Sequence, residues 1–269
     1  MIKIALCVKQ VPDTTDIRWT SDNTIQREGV ESVINPYDVY ALELALNLKR
    51  KTYDEVQITA FTMAPPQAEP MLRKLLALGC DDAVLVSDKK FSGADTYATA
   101  TTLSTAIKKV LPDADLIICG QFATDGDTAQ TGPNIATMLG LSQVTFVKEF
   151  LGYNERKIIL KRELDEGYEI VSAELPAVVC VLQNDFEPTR AKINNIIEAS
   201  QKEIKSLGIW DLELTPFKVG IKGSPTTVTK AFRNIKKHET EMHFESAKDS
   251  AKLILNTINA QLEDKRDDY

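Results

Sequence analysis

The sequence predicts an α/β fold of three layers, in which a mostly parallel β-sheet lies between two layers of helices. The main observation is that short runs of β-branched and aliphatic residues alternate with segments of helical period through the first half of the chain. Such an alternation builds parallel sheets with helices on both faces. A second observation is size: 269 residues, 43% of them hydrophobic, suffice for one large core or for one domain with an appendage.

The predicted elements of the first half follow one another in βα order. Strands are expected in the runs IKIALCV, VQITAF, AVLV and DLIIC, and helices in YDVYALELALNLK, AEPMLRKLLAL and DTYATATTLSTAIKKV. Ligands of such sheets bind at the carboxyl ends of the strands. A binding site is therefore expected among the loops that follow the four strands, which are KQVPDT, TMAPPQ, SDKKFSGAD and DGDTAQTGP.

The fourth loop, DGDTAQTGP at 125–133, has the features of an anion-binding loop. Gly126 and Gly132 allow close approach of the backbone, and the N-terminus of the following helix offers unpaired N–H groups. The loop has two aspartates and no lysine or arginine, so a phosphate there would be bound by N–H groups and hydroxyls. The alternative is that Asp127 or Thr131 only caps the helix.

From residue 140 onward, closely spaced strands replace the alternating pattern. The runs VTFVKEF, RKIILKREL, GYEIVSAE and AVVCVLQ predict antiparallel strands that extend or flank the parallel sheet, which would then be mixed. Residues 188–207 are predicted as a loop that enters a helix. The polar stretch 220–244 precedes an amphipathic helix at 247–262, which packs either on another protein or on its own domain. We divide the chain into an α/β domain, 1–222, and a C-terminal arm with a helix, 223–269.

Charge and composition exclude several functional classes. The net charge of −7 argues against a nucleic-acid groove. No apolar run approaches the ~20 residues that span a bilayer, and the N-terminus lacks the features of a signal peptide, so we expect a cytoplasmic protein without membrane insertion. The two histidines, His238 and His243, lie in the polar stretch, so no base for Ser–His or Cys–His catalysis is expected and no catalytic residue is predicted.

The four cysteines are predicted to be buried free thiols. Cys7, Cys80, Cys119 and Cys180 are far apart, and their spacing matches neither a zinc site nor a redox motif. Free cysteine packs as a small hydrophobic side chain. No metal site is therefore expected.

Several motifs together resemble the β subunit of electron transfer flavoproteins. They are VKQVPDT at 8–14, INPYDVYALELAL at 34–46, the stretch 63–86, DGDTAQTGP, LPAVVCV at 175–181 and GSPTTVTKAF at 223–232, and they follow the order and spacing of the family. The resemblance implies a Rossmann-like adenine-nucleotide-binding fold. It also implies a heterodimer with an α subunit that carries an electron-transferring flavin, and a loop that docks a flavin-containing dehydrogenase or reductase.

The family contains two kinds of β subunit, and the motifs bear on which kind this is. In simple carriers the β subunit holds AMP, whereas in electron-bifurcating members it holds a second FAD and works with NADH and ferredoxin. VKQVPDT, DGDTAQ and the Gly-Ala-Asp-Thr turn within 91–103 resemble the bifurcating kind. Two departures exist, because Gln121 replaces the usual arginine and Thr131 is typical of AMP carriers. The balance favours FAD, with AMP as the alternative, and NADH as electron donor or acceptor.

Carried over residue by residue, the resemblance places the adenine-nucleotide site at strand ends and helix starts. Among its members, Asp125, Gln130 and Thr131, together with Thr128, are the best candidates for contacts with ribose and diphosphate. For Cys7 and Met63 the alternative is packing within the core, and for Asn35 it is helix capping. The full set is Cys7, Val8, Asn35, Pro36, Tyr37, Asp38, Met63, Asp95, Thr96, Gly120, Asp125, Gly126, Asp127, Thr128, Ala129, Gln130 and Thr131.

The stretch 184–200 resembles the partner-docking loop of the family, and we call it the docking segment. Ile193 falls where the family has an exposed apolar anchor, with Arg190 and Lys192 beside it. By helical spacing, Ile196 and Ile197 are expected to form the core face of the helix.

An alternative of another class is a universal-stress-type ATP-binding module or an adenylating enzyme that acts alone. The same βα series suits such proteins. They carry a glycine-rich ATP loop after the fourth strand, and DGDTAQTGP does not match that pattern. The long C-terminal arm also fits a chain with an obligate partner better.

Overall fold

A computed structural model describes residues 1–13, 31–52, 54–230 and 242–264. By the contacts within the chain it forms two units, residues 1–231 and residues 232–269. The larger unit contains the whole β-sheet. His238 lies outside the described residues.

The predicted strands and helices of the larger unit are present in the predicted order, with ends that differ by a few residues, whereas β2, β3, β11 and α6 were not predicted. The strands are β1 Ile2–Cys7, β2 Gln10–Pro12, β3 Ser32–Ile34, β4 Val56–Met63, β5 Asp82–Val86, β6 Leu116–Gly120, β7 Ser142–Asn154, β8 Lys157–Leu164, β9 Gly167–Glu174, β10 Ala177–Val181 and β11 Lys205–Leu207. The helices are α1 Pro36–Lys51, α2 Glu69–Leu78, α3 Thr96–Val110, α4 Thr131–Leu139, α5 Ile193–Gln201 and α6 Gly220–Gly223.

The main sheet is mixed, as predicted, and the direction of its strands fixes where a ligand can bind. Its order is β11-β5-β4-β1-β6-β10-β7-β8-β9; the first seven strands are mutually parallel, and β8 and β9 are antiparallel additions. From β1 the chain builds outward through β4 and β5, and then returns to place β6 on the other side of β1. The carboxyl ends of β1 and β6 therefore form a topological switch point, where open α/β sheets bind ligands.

The three predicted layers are present. Alternate residues of β1 pack on opposite faces of the sheet. Ile4 and Leu6 pack in the core shared with α1, α2 and α5, whereas Ala5 and Cys7 pack in the core shared with α3 and α4. This alternation follows from the two-residue repeat of a strand. The cysteines Cys7, Cys80, Cys119 and Cys180 are free and buried, as predicted.

The structure corrects two predictions for the second half of the chain. The runs VTFVKEF and AVVCVLQ were expected to be antiparallel, but β10 lies between β6 and β7 and is parallel to both, so that β7 belongs to the parallel part of the sheet. The backbone N–H of Ala177 donates to Asp115 O, just before β6, so the chain enters β10 from the same edge as its neighbour. The helix predicted within 188–207 ends at Gln201, and β11 follows as a parallel edge strand beside β5.

The described part of the smaller unit is a short extended stretch and one helix, α7 Ala247–Asp264, at the predicted position. Ile254, Leu255 and Ile258 are about half exposed, at 59%, 59% and 49%. None of the helices in the described ranges has the length and apolar character needed to cross a bilayer.

Candidate functional site

Asp38, a buried carboxylate in the first turn of α1, joins this helix to the switch point. Its Oδ2 accepts a hydrogen bond from Lys9 N at 2.6 Å, and its Oδ1 accepts one from Gly120 N at 3.1 Å. Asp38 therefore joins the chain just after β1 to the last residue of β6. Burial raises the pKa of Asp38 to about 7, against the lowering effect of the N–H donors and of Asn35.

Asn35 holds the loop between β6 and α4, and it is more than a helix cap. It stands at the N-cap position of α1, yet its side chain makes no capping hydrogen bond. Instead Nδ2 donates to Phe122 O at 2.8 Å, and Oδ1 accepts from Thr124 N at 3.3 Å. The ring of Tyr37 packs edge-on against Phe122 at a centroid distance of 5.4 Å. The start of α1, including Pro36 as its first residue, therefore carries the loop.

The second half of the loop, which comprises residues 121–130, is largely exposed. Residues 126–128 and 130 are exposed, and two residues other than glycine have left-handed backbone, Asp127 with φ 50° and Ala129 with φ 54°. This conformation is costly for residues with a side chain and is enriched at binding sites. The hydroxyl of Thr124 is buried and has no hydrogen-bond partner among the described residues.

The N-terminus of α4 is available to an anion. The helix begins at Thr131, and its N-cap residue, Gln130, makes no side-chain capping bond. The alternative that Asp127 or Thr131 serves only as the cap is therefore wrong. Uncapped N–H groups and the positive end of the helix dipole are what a diphosphate needs.

Three glycines of this region differ in what they require. A Cβ on Gly120 would overlap Asp38 Oδ1 and the backbone of Tyr37, and a Cβ on Gly132 would overlap Cys180 Sγ, so both positions need glycine for close packing. At Gly126 a Cβ would meet nothing within 4 Å. The sequence predicted close approach of the backbone to a ligand at Gly126 and Gly132, and this stays a prediction. Within the chain, Gly132 is closely packed and Gly126 is open.

Lys9 supplies the cation that the loop sequence lacks. Its Nζ lies 2.5 Å from Asp125 Oδ1, and the Asp125 side chain is only 3% exposed. One of the two loop aspartates is therefore turned inward and paired, which removes much of its repulsion toward a bound phosphate. Lys9 was not predicted as a site residue because it is 116 positions away from Asp125 in sequence.

Asp95 and Thr96 join the same region from the start of α3. Asp95 caps the helix through Ala98 N at 2.9 Å, and its other oxygen accepts from Thr226 N at 3.0 Å and from Thr226 Oγ1 at 2.7 Å. Burial opposes ionisation, but these donors together hold the pKa of Asp95 below its usual value. Thr96 Oγ1 bonds Gln130 Oε1 at 3.0 Å, which brings two predicted site residues into contact.

The remaining predicted residues contribute backbone and packing. Cys7 and Val8 are buried at the end of β1, and Met63 packs at the end of β4 against the core shared with α3 and α4. A hydrogen bond to Cys7 together with burial raises the pKa of the Cys119 thiol, and burial raises the pKa of Cys180 to about 12. These thiols therefore stay protonated and act as core side chains. The exposed Thr128 keeps its hydroxyl at the loop surface.

Gln121, which stands where the family has arginine, points away from the loop. It is 4% exposed, and its Oε1 accepts from Phe146 N at 2.7 Å, where β7 has positive φ. Its side chain supports the sheet and does not reach the exposed loop residues.

The docking segment lies apart from this site and presents apolar side chains outward. Ile193 is 76% exposed at the first residue of α5. Ile196 and Ile197, predicted to face the core, are 52% and 53% exposed, so that prediction is wrong. Ala199 is the one buried residue of this helix, and Arg190 and Lys192 are exposed before it.

The arrangement offers groups that could hold a polar, anionic ligand at one edge of the sheet. They are the uncapped N–H groups of α4, the glycine at the end of β6 and the buried hydroxyl of Thr124, which is unpartnered among the described residues. In the parts of the chain that the structure describes, no cluster of side chains could hold a metal ion.

Comparisons with known proteins point to one family. Residues 22–212 match the model of the electron transfer flavoprotein domain. The β subunit of an electron transfer flavoprotein from Thermoanaerobacterium thermosaccharolyticum is 39% identical over 262 residues, covering 97% of this chain and 99% of its own. The acryloyl-CoA reductase electron transfer subunit gamma of Anaerotignum propionicum is 40% identical and covers 86% and 88%. The caffeyl-CoA reductase-Etf complex subunit CarD of Acetobacterium woodii is 39% identical and covers 86% and 87%.

The match spans most of the chain, and the relatives are covered over nearly their whole length. The chain therefore belongs to the electron transfer flavoprotein family, among its β subunits.

Proposed function

We propose that this chain is the β subunit of a heterodimeric electron transfer flavoprotein and binds FAD at the switch point between β1 and β6. The observation that carries the proposal is the loop after β6, which is exposed and leads into the uncapped N-terminus of α4, while Asn35 binds the loop and Asp38 binds the end of β6. The similarity to subunits named for acryloyl-CoA and caffeyl-CoA reductase systems supports an electron-bifurcating role. The bound flavin would supply the redox chemistry, and the residues of this chain would bind and orient it.

The described residues would bind and orient the nucleotide. The N–H groups at the start of α4 would receive the diphosphate, and Gly126 would let the backbone approach it. Thr124 Oγ1 is the buried donor that a ribose or phosphate oxygen would satisfy. Lys9 would keep the Asp125 carboxylate turned inward.

The direct test is to purify the chain with its α partner and to count bound nucleotides after denaturation. Two FAD per heterodimer are expected. One FAD with one AMP would contradict the bifurcating role and would indicate the simple carrier. The family match speaks against the alternative of a stand-alone ATP-binding module, and ATP turnover by the isolated chain would overturn the proposal in favour of that alternative.

Gly126 offers a variant that separates ligand binding from folding. In the bare chain a side chain at this position meets nothing within 4 Å, so Gly126→Val should fold normally. If the diphosphate lies on this loop, the same variant should lose FAD. Gly152→Val in β7 is the matched control, because its Cβ would meet only Ile159 at 4.0 Å, outside the site. Full FAD retention by Gly126→Val would remove the loop from the site.

The proposed partners are the α subunit, a flavin-containing dehydrogenase or reductase, and ferredoxin, with NADH as electron donor or acceptor, in the cytoplasm. We assign residues 223–269 to α-subunit assembly. Residues 224 and 226 are hydrogen-bonded to Asp95, so the informative deletion starts after residue 231. That deletion should leave a folded, soluble chain that no longer binds the α subunit, and unchanged heterodimer affinity would contradict the assignment.

The docking segment is the proposed contact for the dehydrogenase or reductase. Ile193 is the proposed anchor of this contact. It is exposed at the first residue of α5, directly after the basic residues Arg190 and Lys192. Exposed apolar side chains with a polar rim are typical of interaction hot spots. The exposure of Ile196 and Ile197 extends this apolar surface by one helical turn.

A further inference from the structure

The docking segment has little apolar attachment to the rest of the protein. From residue 185 to residue 198 no side chain is fully buried, and Phe186, Thr189 and Ala191 are the ones that are half buried. A segment with so few buried contacts opens easily unless polar interactions hold it. The structure supplies such interactions at both of its ends.

The first interaction comes from Glu43 in the middle of α1. This carboxylate is 2% exposed, and both of its oxygens accept hydrogen bonds from one residue of the docking segment: Oε1 from Thr189 N at 2.5 Å and Oε2 from Thr189 Oγ1 at 2.8 Å. Arg50 Nη2 stands 3.7 Å from Oε2. Burying a carboxylate is costly, and the interactions that offset the cost here are made chiefly with Thr189, four residues before the anchor Ile193.

The second interaction is at the other end of α5. Arg73 of α2 donates through Nη1 to Ala199 O, Ser200 O and Lys202 O, at 3.0, 3.1 and 3.2 Å. The last turn of α5 contains no basic residue of its own, so Arg73 supplies the positive charge that a helix C-terminus favours. Asn195 Nδ2 adds a bond to Ala77 O at 3.4 Å.

We propose that Glu43 is a positioning residue that keeps the docking segment preformed, with Arg73 fixing its far end. The isoleucines then point outward on a helix that is held by its polar side, and a partner binds without first ordering the segment. The inference rests on the proposed docking function, but the preformed state can be measured without any partner.

Trypsin is the probe, because its cleavage sites after Arg190 and Lys192 lie within the docking segment. The heterodimer is digested under native conditions, and cleavage at these two bonds is followed by mass spectrometry. Glu43→Gln should accelerate it about tenfold, because glutamine places an NH2 donor where one of the two accepting oxygens stood, and because local opening sets the cleavage rate. Thr189→Val, which removes one of the two bonds, should accelerate it less, and Thr189→Ser should behave as wild type.

Flavin content and melting temperature show whether the effect is local. Flavin content should be unchanged in Thr189→Val, and melting temperature should fall only slightly, because the carboxylate oxygen that loses its partner reaches water when the segment opens. This variant alters a half-buried side chain and so tests the proposal even if Glu43→Gln fails to fold. Wild-type cleavage rates in Glu43→Gln and Thr189→Val would overturn it. Faster cleavage of these variants would support the positioning role whatever the segment binds. Normal partner binding by Ile193→Ala would contradict the docking function alone.

Discussion

The loop after β6 and the docking segment are held by the same helix in the same way, yet they present opposite chemistry. Both lie outside the sheet with few buried side chains. Asn35, the N-cap residue of α1, is bonded to the loop, and Glu43 in the middle of α1 is bonded to the docking segment. The loop leads into the uncapped N-terminus of α4 and contains the hydroxyl of Thr124, which has no partner in the described ranges. The docking segment pairs its polar groups inward and exposes isoleucines.

The difference indicates what each region binds. An uncapped helix N-terminus and an unpartnered hydroxyl suit a polar, anionic ligand, whereas exposed isoleucines suit an apolar partner surface. An identical support from α1 therefore serves two sites of different kinds. The variants below test each half of this comparison, beginning with the largest expected effect.

Gly120→Ala should be the most damaging change in the loop region. The new Cβ would overlap Asp38 Oδ1 and the backbone of Tyr37, so the bond that joins β6 to α1 cannot survive. We expect a loss of more than about 3 kcal/mol in the free energy of unfolding, together with loss of the nucleotide. Gly126→Ala, at an open position six residues later, should unfold like wild type. Equal stability of both variants in urea would mean that the loop is not held as described.

Asp38, the buried carboxylate of α1 that is bonded to the end of β6, should make stability depend on pH. Because the pKa of Asp38 is raised from 3.8 to about 7, the folded chain binds a proton more readily than the unfolded chain. The contribution of Asp38 to the free energy of unfolding is therefore largest below about pH 4. It falls by up to about 4 kcal/mol as the pH rises toward 7. Asp38→Asn should lack this decline, so the difference in unfolding free energy between the two proteins should change across pH 4–7 and then level off. A constant difference would contradict the raised pKa.

How much of this was predictable from sequence depends on whether a feature is local. The alternating periods of β1 to β6 and α1 to α3 predicted those elements closely, because hydrophobic repeats report burial directly. The direction of β10 was missed, since a short apolar run reports burial but not direction. All five residues of β10 are buried. The unbroken apolar run in the sequence, without the alternation of a half-exposed antiparallel strand, was the one feature that favoured a central parallel strand.

The site was predicted where a single segment carries it and missed where two segments meet. The loop 125–131 was recognisable from its own glycines and its place after a strand. The pairing of Lys9 with Asp125 and that of Asp95 with Thr226 link residues more than 100 positions apart, so no local pattern contains them. Helical spacing misled for Ile196 and Ile197, because polar bonds take the place of the usual apolar face in holding α5.

For the docking segment, Ile193→Ala should weaken binding of the dehydrogenase or reductase by about 1–3 kcal/mol. The side chain is already 76% exposed, so its removal should leave melting temperature and flavin content nearly unchanged. Titration of the heterodimer into the partner measures the effect, and Ile196→Ala and Ile197→Ala tell whether the next turn contributes. A large drop in melting temperature with normal affinity would place Ile193 in the core of the assembled protein.

The smallest expected effect concerns the backbone of the loop. Ala129 has φ 54°, a left-handed conformation that disfavours a side chain and that glycine adopts freely. Ala129→Gly should relieve about 1 kcal/mol of strain in the folded chain, partly offset by the greater freedom of glycine in the unfolded chain. The net change in unfolding free energy should therefore be within about 1 kcal/mol.

The informative measurement on this variant is FAD affinity. If the strained backbone preorganises the N–H donors, the looser glycine should weaken binding severalfold even though the fold is as stable as before. A variant that binds FAD as tightly as wild type would mean that the positive φ is a by-product of the turn and that the helix N-terminus alone supplies the donors. The docking segment offers the contrast, because the described residues 184–200 have no positive φ and their order depends on side-chain bonds.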